Sequence, residues 1–526
     1  MKSRLIKSLL FGLLISLASS FASREANGQQ VPYLAELLAR YAAFNQLYAA
    51  KKQAGADLSS IDPVRARAEA AFQKGDIPAV IEAISQGIWL LEGQKWDDAA
   101  RFMSSLTLET DRLVLDGSQP LGVSLDRMYP VDESKSLPQG VKVTFLAVPG
   151  AGAKPSTGAG SEVVIARDMG VSQASTTVTA PARRLPLLNG LYYVVAVIQA
   201  GSADSAQEGI LGGGKQLARI QTPVYAISDF TDRVSRLSGM VTAIKASSDP
   251  NMRAVAAQIS TPEFQLARLT GLTRSNGSPG LNPIAELEHL EIILPAMATG
   301  ANPLASERGE VERAYSTADG QLVPYRVFVP STYDGSRAMP LVVALHGALG
   351  DEKSYFSGIY DPAAIKGEAE RRGYIVATPT WLGRFGYGAA AEEDVLHVIS
   401  EVRSNYKIDP SRIYLTGHSL GGFGAWQIAF DHPEIFAGLA PVSGGSPVRP
   451  DALPPLLARI KNIPVLVVHG AKDGIVPPAR SMEMVEAARK AGVQISYTEV
   501  PGTDHLTVVG STFPAVLEFF DKHIKQ

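Results

Sequence analysis

Residues 412–429 read RIYLTGHSLGGFGAWQIA, and their order decides the fold of the C-terminal half. Ile413, Tyr414 and Leu415 form a short apolar run that favours a strand. Phe423, Trp426 and Phe430 then recur at helical spacing, and Gly417-His418-Ser419-Leu420-Gly421 lies between the two patterns. A strand that turns at once into a helix through Gly-x-Ser-x-Gly must hold its serine in a strained backbone conformation. The residues two away have no room for a Cβ, hence the glycines on both sides. Such a turn lifts Ser419 above the sheet and aims the amides of the following helix at the reaction centre.

Working outward, residues 311–526 alternate short apolar strands with helical patterns. The strands are Tyr325–Val329, Leu341–Leu345, Tyr374–Thr378, Ile413–Leu415, Leu439–Val442, Val465–Val468 and Ile495–Val500. Helices are expected over Glu392–Tyr406, Leu420–Asp431, Ala479–Ala491 and Phe513–Ile524. This alternation predicts an α/β domain, a mostly parallel sheet with helices on both faces.

Upstream, the character changes. Residues 1–28 read as an export signal: Lys2, Arg4 and Lys7 precede the apolar stretch Leu9 to Ala18, and small residues follow, with cleavage expected after Ala22 or Gly28. Ten apolar residues are too few to span a bilayer. A helical region is expected over 29–103, where Leu34, Leu37, Leu38, Tyr41 and Phe44 share one face and Asp62-Pro63 opens a second helix. Residues 104–228 carry strand-like runs such as Val141–Val148 and Leu191–Ile198 between Gly, Pro and Ser clusters, which predicts a β-sandwich-like module. Residues 229–310 read as a second helical region and a linker. The glycine-rich run 150–160 lacks the Gly-Lys-Ser/Thr ending of a phosphate loop and reads as a plain loop, as does Gly212-Gly213-Gly214. Asn276-Gly277-Ser278 matches a glycosylation acceptor.

Composition narrows the function. A chain of 526 residues with 45% hydrophobic and 19% charged residues can build several cores. Its net charge of −3 gives no electrostatic footprint for nucleic acid. With no cysteine there is no disulfide, thiolate metal site, cysteine nucleophile or lipid anchor at a cleaved signal. The expected address is secreted or periplasmic, with no stable membrane span once the signal is removed.

An activated serine needs a base, an acid that orients it and donors for the oxyanion. Of the eight histidines, His505 follows the strand Ile495–Val500 in the loop Pro501–His505, just before the final helix. Val465–Val468 leads into His469-Gly470-Ala471-Lys472-Asp473, placing Asp473 at the carboxyl edge of the sheet. The chain order Ser419, Asp473, His505 is that of a nucleophile elbow with its acid and base. Asp504, adjacent to the base, cannot reach behind its ring. His469 reads as structural, and His346 as support for the turn His346-Gly347-Ala348-Leu349-Gly350 after Leu341–Leu345. Glycines let that turn present a backbone N–H to a substrate oxygen, and Leu420 supplies a second.

Four stretches, PLVVALHGALGDEKSYF (340–356), IDPSRIYLTGHSLGGFGAWQIAFDHPEIFAGLAPVSGG (408–445), VLVVHGAKDGIVPP (465–478) and PGTDHLT (501–507), resemble α/β-hydrolase-fold serine esterases. The resemblance is to polyhydroxybutyrate-depolymerase-like and feruloyl-esterase-like enzymes, related to the catalytic domain of prolyl oligopeptidases, and it covers about 324–524. It implies Ser419 as nucleophile, His505 as base, Asp473 as acid, and Ala348 and Leu420 as oxyanion amides. It places Trp381 and the run 380–388 at the substrate pocket, with His418 of the elbow as a second substrate contact. It implies a carboxylesterase acting on carbohydrate-linked, polyester or small acyl esters, with no metal or organic cofactor. A serine peptidase of the prolyl oligopeptidase type is the alternative, weakened because no β-propeller repeat precedes the domain. A glycan- or wall-binding protein with a silent hydrolase is the reading from outside enzymology.

Overall fold

The computed structural model describes residues 33–116, 119–131, 141–150, 163–170, 175–180, 189–200, 215–256, 258–272, 281–348, 350–356, 360–380 and 389–525. The signal-like segment, the glycine runs at 151–160 and 212–214, Asn276 and Trp381 lie outside these residues. The described residues divide into two compact units, one of 33–243 with 265–295 and one of 244–264 with 296–525.

The first unit opens with helices α1 (Leu34–Gln53), α2 (Asp62–Gln73), α3 (Ile77–Leu91) and α4 (Asp98–Ser105). Asp76 and Asp97 cap the last two, accepting from the amides of Ala79 at 3.1 Å and Ala100 at 3.0 Å. Eight strands follow: β1 (Leu106–Thr110), β2 (Val114–Leu115), β3 (Leu121–Arg127), β4 (Lys142–Pro149), β5 (Val163–Gly170), β6 (Ser175–Ala180), β7 (Gly190–Ala200) and β8 (Lys215–Ala226). They form a three-stranded sheet, β1-β3-β6, and a five-stranded sheet, β2-β8-β7-β4-β5. In β3 the apolar Leu121, Val123 and Leu125 alternate with Gly122, Ser124 and Asp126, so one face only is buried. Those three residues share a core with Val143 and Phe145 of β4 and Val194, Ala196 and Ile198 of β7, which makes the pair of sheets a sandwich. Helices α5 (Phe230–Ala246), α6 (Pro250–Ala256), α7 (Ser260–Thr270) and α8 (Pro283–Met297) follow in the chain.

The second unit is built on β9 (Gly309–Ser316), β10 (Leu322–Val329), β11 (Met339–Leu345), β12 (Ile375–Pro379), β13 (Ile408–His418), β14 (Gly438–Val442), β15 (Val465–Gly470) and β16 (Ile495–Val500). They make one eight-stranded sheet in the order β16-β15-β14-β13-β11-β12-β10-β9. β10 runs antiparallel to β9 and to β12, and every pairing from β12 to β16 is parallel. All seven residues of β11 are buried because it is covered on both faces. Leu341, Val343 and Leu345 pack on one side with α10 (Ala389–Asn405), α11 (Leu420–Asp431), α12 (Leu453–Arg459) and α13 (Pro478–Lys490). Val342 and Ala344 face the other side, with α9 (Pro362–Arg372) and α14 (Thr507–Asp521). The edge strands are polar: β16 alternates buried-side Ile495 and Tyr497 with exposed Ser496 and Thr498, and β9 carries Glu310, Glu312 and Arg313.

Chain order reverses at β11, which leaves by way of α9 to β12 on one flank, while the next strand, β13, lies on its other flank. In an open α/β sheet the carboxyl ends at such a reversal splay apart and leave a crevice. The turn after β11 and the elbow after β13 meet there. Among the described residues no helix is long and apolar enough to cross a membrane.

Candidate active site

β13 ends at His418 and α11 begins at Leu420, so Ser419 alone makes the turn, at φ 55° and ψ −117°. A non-glycine residue in this region of backbone space is strained by about 1–3 kcal/mol and persists only where its surroundings impose it. Here they do so by backbone contact. The Ser419 amide donates to the carbonyl of Val442 at 2.9 Å, fastening the elbow to the end of β14. A Cβ on Gly421 would stand 2.7 Å from the carbonyl of His346 and closer still to that of Leu345, and a Cβ on Gly417 would strike the carbonyl of Gly421. These contacts are with main chain, which cannot swing aside. Gly421→Ala is therefore expected to cost about 3 kcal/mol, at the top of the usual range for overpacking. Urea unfolding of the variant beside wild type measures it.

Asp473 sits in the turn after β15, and His505 in the loop between β16 and α14. The structure brings them together: His505 Nδ1 donates to Asp473 Oδ2 at 2.7 Å. The other oxygen, Oδ1, accepts from the backbone amides of Ile475 and Val476, each at 2.9 Å. His469 Nε2 also stands 3.1 Å from Oδ2. Burial works to raise the Asp473 pKa. The hydrogen bonds from His469 and His505, the charge interaction with His505 and the Ile475 amide outweigh it and hold the carboxyl well below the usual carboxylate range. Asp473 is thus an ionised acid at neutral pH, and an ionised carboxylate only accepts. The His505 proton therefore lies on Nδ1.

His469, which the sequence marks as structural, is a support for this acid. It is wholly buried, with Nδ1 2.7 Å from the Ser481 hydroxyl and Nε2 2.8 Å from the carbonyl of Val476 as well as facing Asp473. Asp504 has a different occupation. Its carboxylate accepts from the amides of Leu506 (3.2 Å) and Thr507 (3.0 Å) and from the Thr507 hydroxyl (2.8 Å), closing the start of α14.

His418 is only 1% exposed, and both of its ring nitrogens are engaged. Nδ1 is 2.9 Å from the Tyr360 hydroxyl and Nε2 is 2.6 Å from the backbone carbonyl of His505. Protein groups thus occupy both nitrogens of the side chain expected to touch substrate, and the ring lies in the interior. Its ring centroid lies 4.5 Å from that of His505, so the elbow that carries Ser419 and the loop that carries His505 are in contact. Burial, then the neighbouring His505, push the His418 pKa well below its ordinary value.

The turn after β11 completes the cluster. The Gly347 amide donates to the Tyr360 hydroxyl at 3.0 Å, and a Cβ at Gly347 would lie 3.4 Å from Ser419 Cβ. His346 places Nδ1 2.8 Å from the carbonyl of Gly347 and Nε2 2.8 Å from that of Thr380, tying the turn to the end of β12. Ala348 and Leu420 follow Gly347 and Ser419 directly in the chain. Tyr360 is the residue that sequence reasoning missed. It lies 58 positions from His418, and nothing local marks it. Among the described residues no group of three His, Cys, Asp or Glu is placed to hold a metal ion.

Residues 380–452 and 447–526 match the model of the prolyl oligopeptidase family. The C-terminal unit has an α/β-hydrolase fold, and its residues 380–526 are similar to that family. Poly(3-hydroxyalkanoate) depolymerase C of Paucimonas lemoignei is 31% identical over 145 residues, 25% of this chain and 33% of the depolymerase. Feruloyl esterase B of Talaromyces stipitatus is 31% identical over 137 residues, 24% of this chain and 36% of the esterase. Dipeptidyl-peptidase 5 of Porphyromonas endodontalis is 25% identical over 237 residues, 37% of this chain and 34% of the peptidase. The chain matches about a third of the length of each of these three relatives.

Proposed function

We propose that this α/β-hydrolase domain is a serine hydrolase that cleaves carboxylic esters through an acyl-enzyme, with Ser419 as nucleophile, His505 as base and Asp473 as acid. The observation that carries the reading is the 2.7 Å bond from His505 Nδ1 to Asp473, made in a loop that touches the strained elbow of Ser419. A proton held on Nδ1 leaves Nε2 as the basic nitrogen, the state a general base needs. Ser419 Oγ attacks the substrate carbonyl as His505 takes its proton. His505 then returns that proton to the leaving alcohol, and a water repeats the cycle on the acyl-enzyme. Since the Gly347 amide is committed to Tyr360, oxyanion donation from its turn falls to Ala348, beside Leu420 at the first turn of α11. Trp381 is proposed to line the pocket.

Carbohydrate-linked, polyester or small acyl esters are the proposed substrates, because two of the three relatives carry depolymerase and feruloyl esterase names. The family match and the dipeptidyl-peptidase relative favour a peptidase as the second reading. Purified protein offered p-nitrophenyl acetate and a peptide p-nitroanilide separates the two. Hydrolysis of the ester with no anilide turnover is expected, and anilide turnover at a comparable kcat/KM would establish the peptidase. We further propose export, from the charged and apolar pattern of residues 2–18. N-terminal mass analysis of protein from the culture supernatant or periplasm is expected to begin at 23 or 29.

A further inference from the structure

We infer that Tyr360 and His418 form a one-way hydrogen-bond relay that registers the oxyanion turn against the loop carrying the base, making both of them positioning residues for the hydrolysis proposed above. The direction of every proton follows from the partners. At one end stands the carbonyl of His505, which can only accept, so His418 Nε2 bears a hydrogen. Burial keeps His418 neutral, so Nδ1 is bare and must accept. Its partner there is Tyr360, whose single hydroxyl proton is committed to that bond. The Tyr360 oxygen in turn accepts from the Gly347 amide. Donation thus runs Gly347 N–H to Tyr360 O–H to His418 Nε2–H to His505 C=O, crossing from the end of β11 through the elbow to the end of β16.

Each link is buried and each group has one direction available, so the bonds polarise one another and a break at any point strands a polar atom. Tyr360 is braced by edge-on contacts with Tyr355 and with His418 itself, both at 4.9 Å between ring centroids. Neither Tyr360 nor His418 meets the reacting atoms. Their part is to hold the Gly347–Ala348 peptide and the His505 backbone at the separation the reaction needs. Misplacement by about an ångström in such a constellation costs about a hundredfold.

The first test uses wild-type protein labelled with ¹⁵N-histidine. The ring that disappears from the spectrum in His418→Gln is expected to show a protonated Nε2 and an unprotonated Nδ1, and the opposite tautomer or a doubly protonated ring overturns the relay. This readout does not depend on activity. A protein that fails to turn over any ester yet shows this tautomer loses the functional reading and keeps the relay. The second test is kinetic, on p-nitrophenyl acetate. Tyr360→Phe is expected to lower kcat ten- to hundredfold with KM within twofold, because the lost register matters only in the transition state. In the His418→Gln background, where a glutamine amide can still reach the His505 carbonyl but not Tyr360, the same change is expected to cost less than threefold. Tyr360→Phe with kcat within twofold of wild type, a loss confined to KM, or penalties that multiply would each overturn it. Should Tyr360→Phe not fold, the wild-type tautomer decides.

Discussion

Ser419→Ala is expected to lower kcat on p-nitrophenyl acetate by 10⁴–10⁶-fold, on the order seen when a serine nucleophile acting with its base is removed. The folded protein is expected to survive. Alanine adds no atom to the elbow, and the fastenings of this turn are backbone groups, the Ser419 amide to Val442 and the crossing of Gly421 beneath Leu345. The strain at φ 55° remains, and the hydroxyl alone is lost. A fluorophosphonate probe reads the same event differently, since it bonds covalently only to an activated serine. Wild type is expected to label and the variant to remain unlabelled at equal unfolding midpoints. Labelling retained in Ser419→Ala would place the nucleophile elsewhere. Absence of labelling in folded wild type would remove the hydrolase reading and favour a binding protein.

How much of this arrangement was legible in the chain depended on how local its cause was. β11, β14 and β15 announce themselves as apolar runs because they are buried on both faces. The elbow announces itself because the glycines that answer its steric demand fall within five residues, although part of the crowding at Gly421 comes from the distant carbonyls of Leu345 and His346. β9 does not, since an edge strand reading Gly309-Glu-Val-Glu-Arg-Ala-Tyr-Ser316 spends its side chains on ion pairs such as Glu310 and Glu312 with Arg326. α9 is hidden for a related reason: only Ile365 and Ala369 of its eleven residues are buried, too sparse an apolar stripe to recognise. α14 begins at Thr507, earlier than the expected Phe513: Asp504, ahead of the helix, takes up the amides of Leu506 and Thr507, and the first turn is of β-branched residues that read as strand. Within the site, spacing along the chain suggested Ser419, Asp473 and His505. His418, Tyr360 and His469 required the folded contacts, since a buried imidazole and a surface one look alike in a sequence. Trp381 lies outside the described residues, and its place at the pocket stays a proposal.

Asp473→Asn tests the acid more severely than removal would, because the geometry dictates how the amide must turn. Asp473 Oδ1 accepts from two backbone amides, Ile475 and Val476, which cannot reverse. The carbonyl oxygen of an asparagine must therefore occupy that side, and its NH₂ takes the place of Oδ2. That position is the one His505 Nδ1 and His469 Nε2 address. Facing a donor, His505 Nδ1 has to accept, so its proton moves to Nε2 and the nitrogen that should deprotonate the serine is blocked. Volume and packing are nearly unchanged, yet kcat is expected to fall about 10⁴-fold, the scale found when a triad acid becomes an amide and the base is left in the wrong tautomer. The loss is expected to shrink at high pH, where hydroxide can take the serine proton directly, whereas wild type gains little there. Asp473→Ala is expected to lose less activity than Asp473→Asn, because a missing partner leaves the His505 tautomer free while the amide imposes the wrong one. Rates of both variants between pH 7 and about 10 measure the difference. Equal losses would mean that Asp473 acts through its charge alone, and a loss under tenfold in the asparagine variant would mean that another group orients the base.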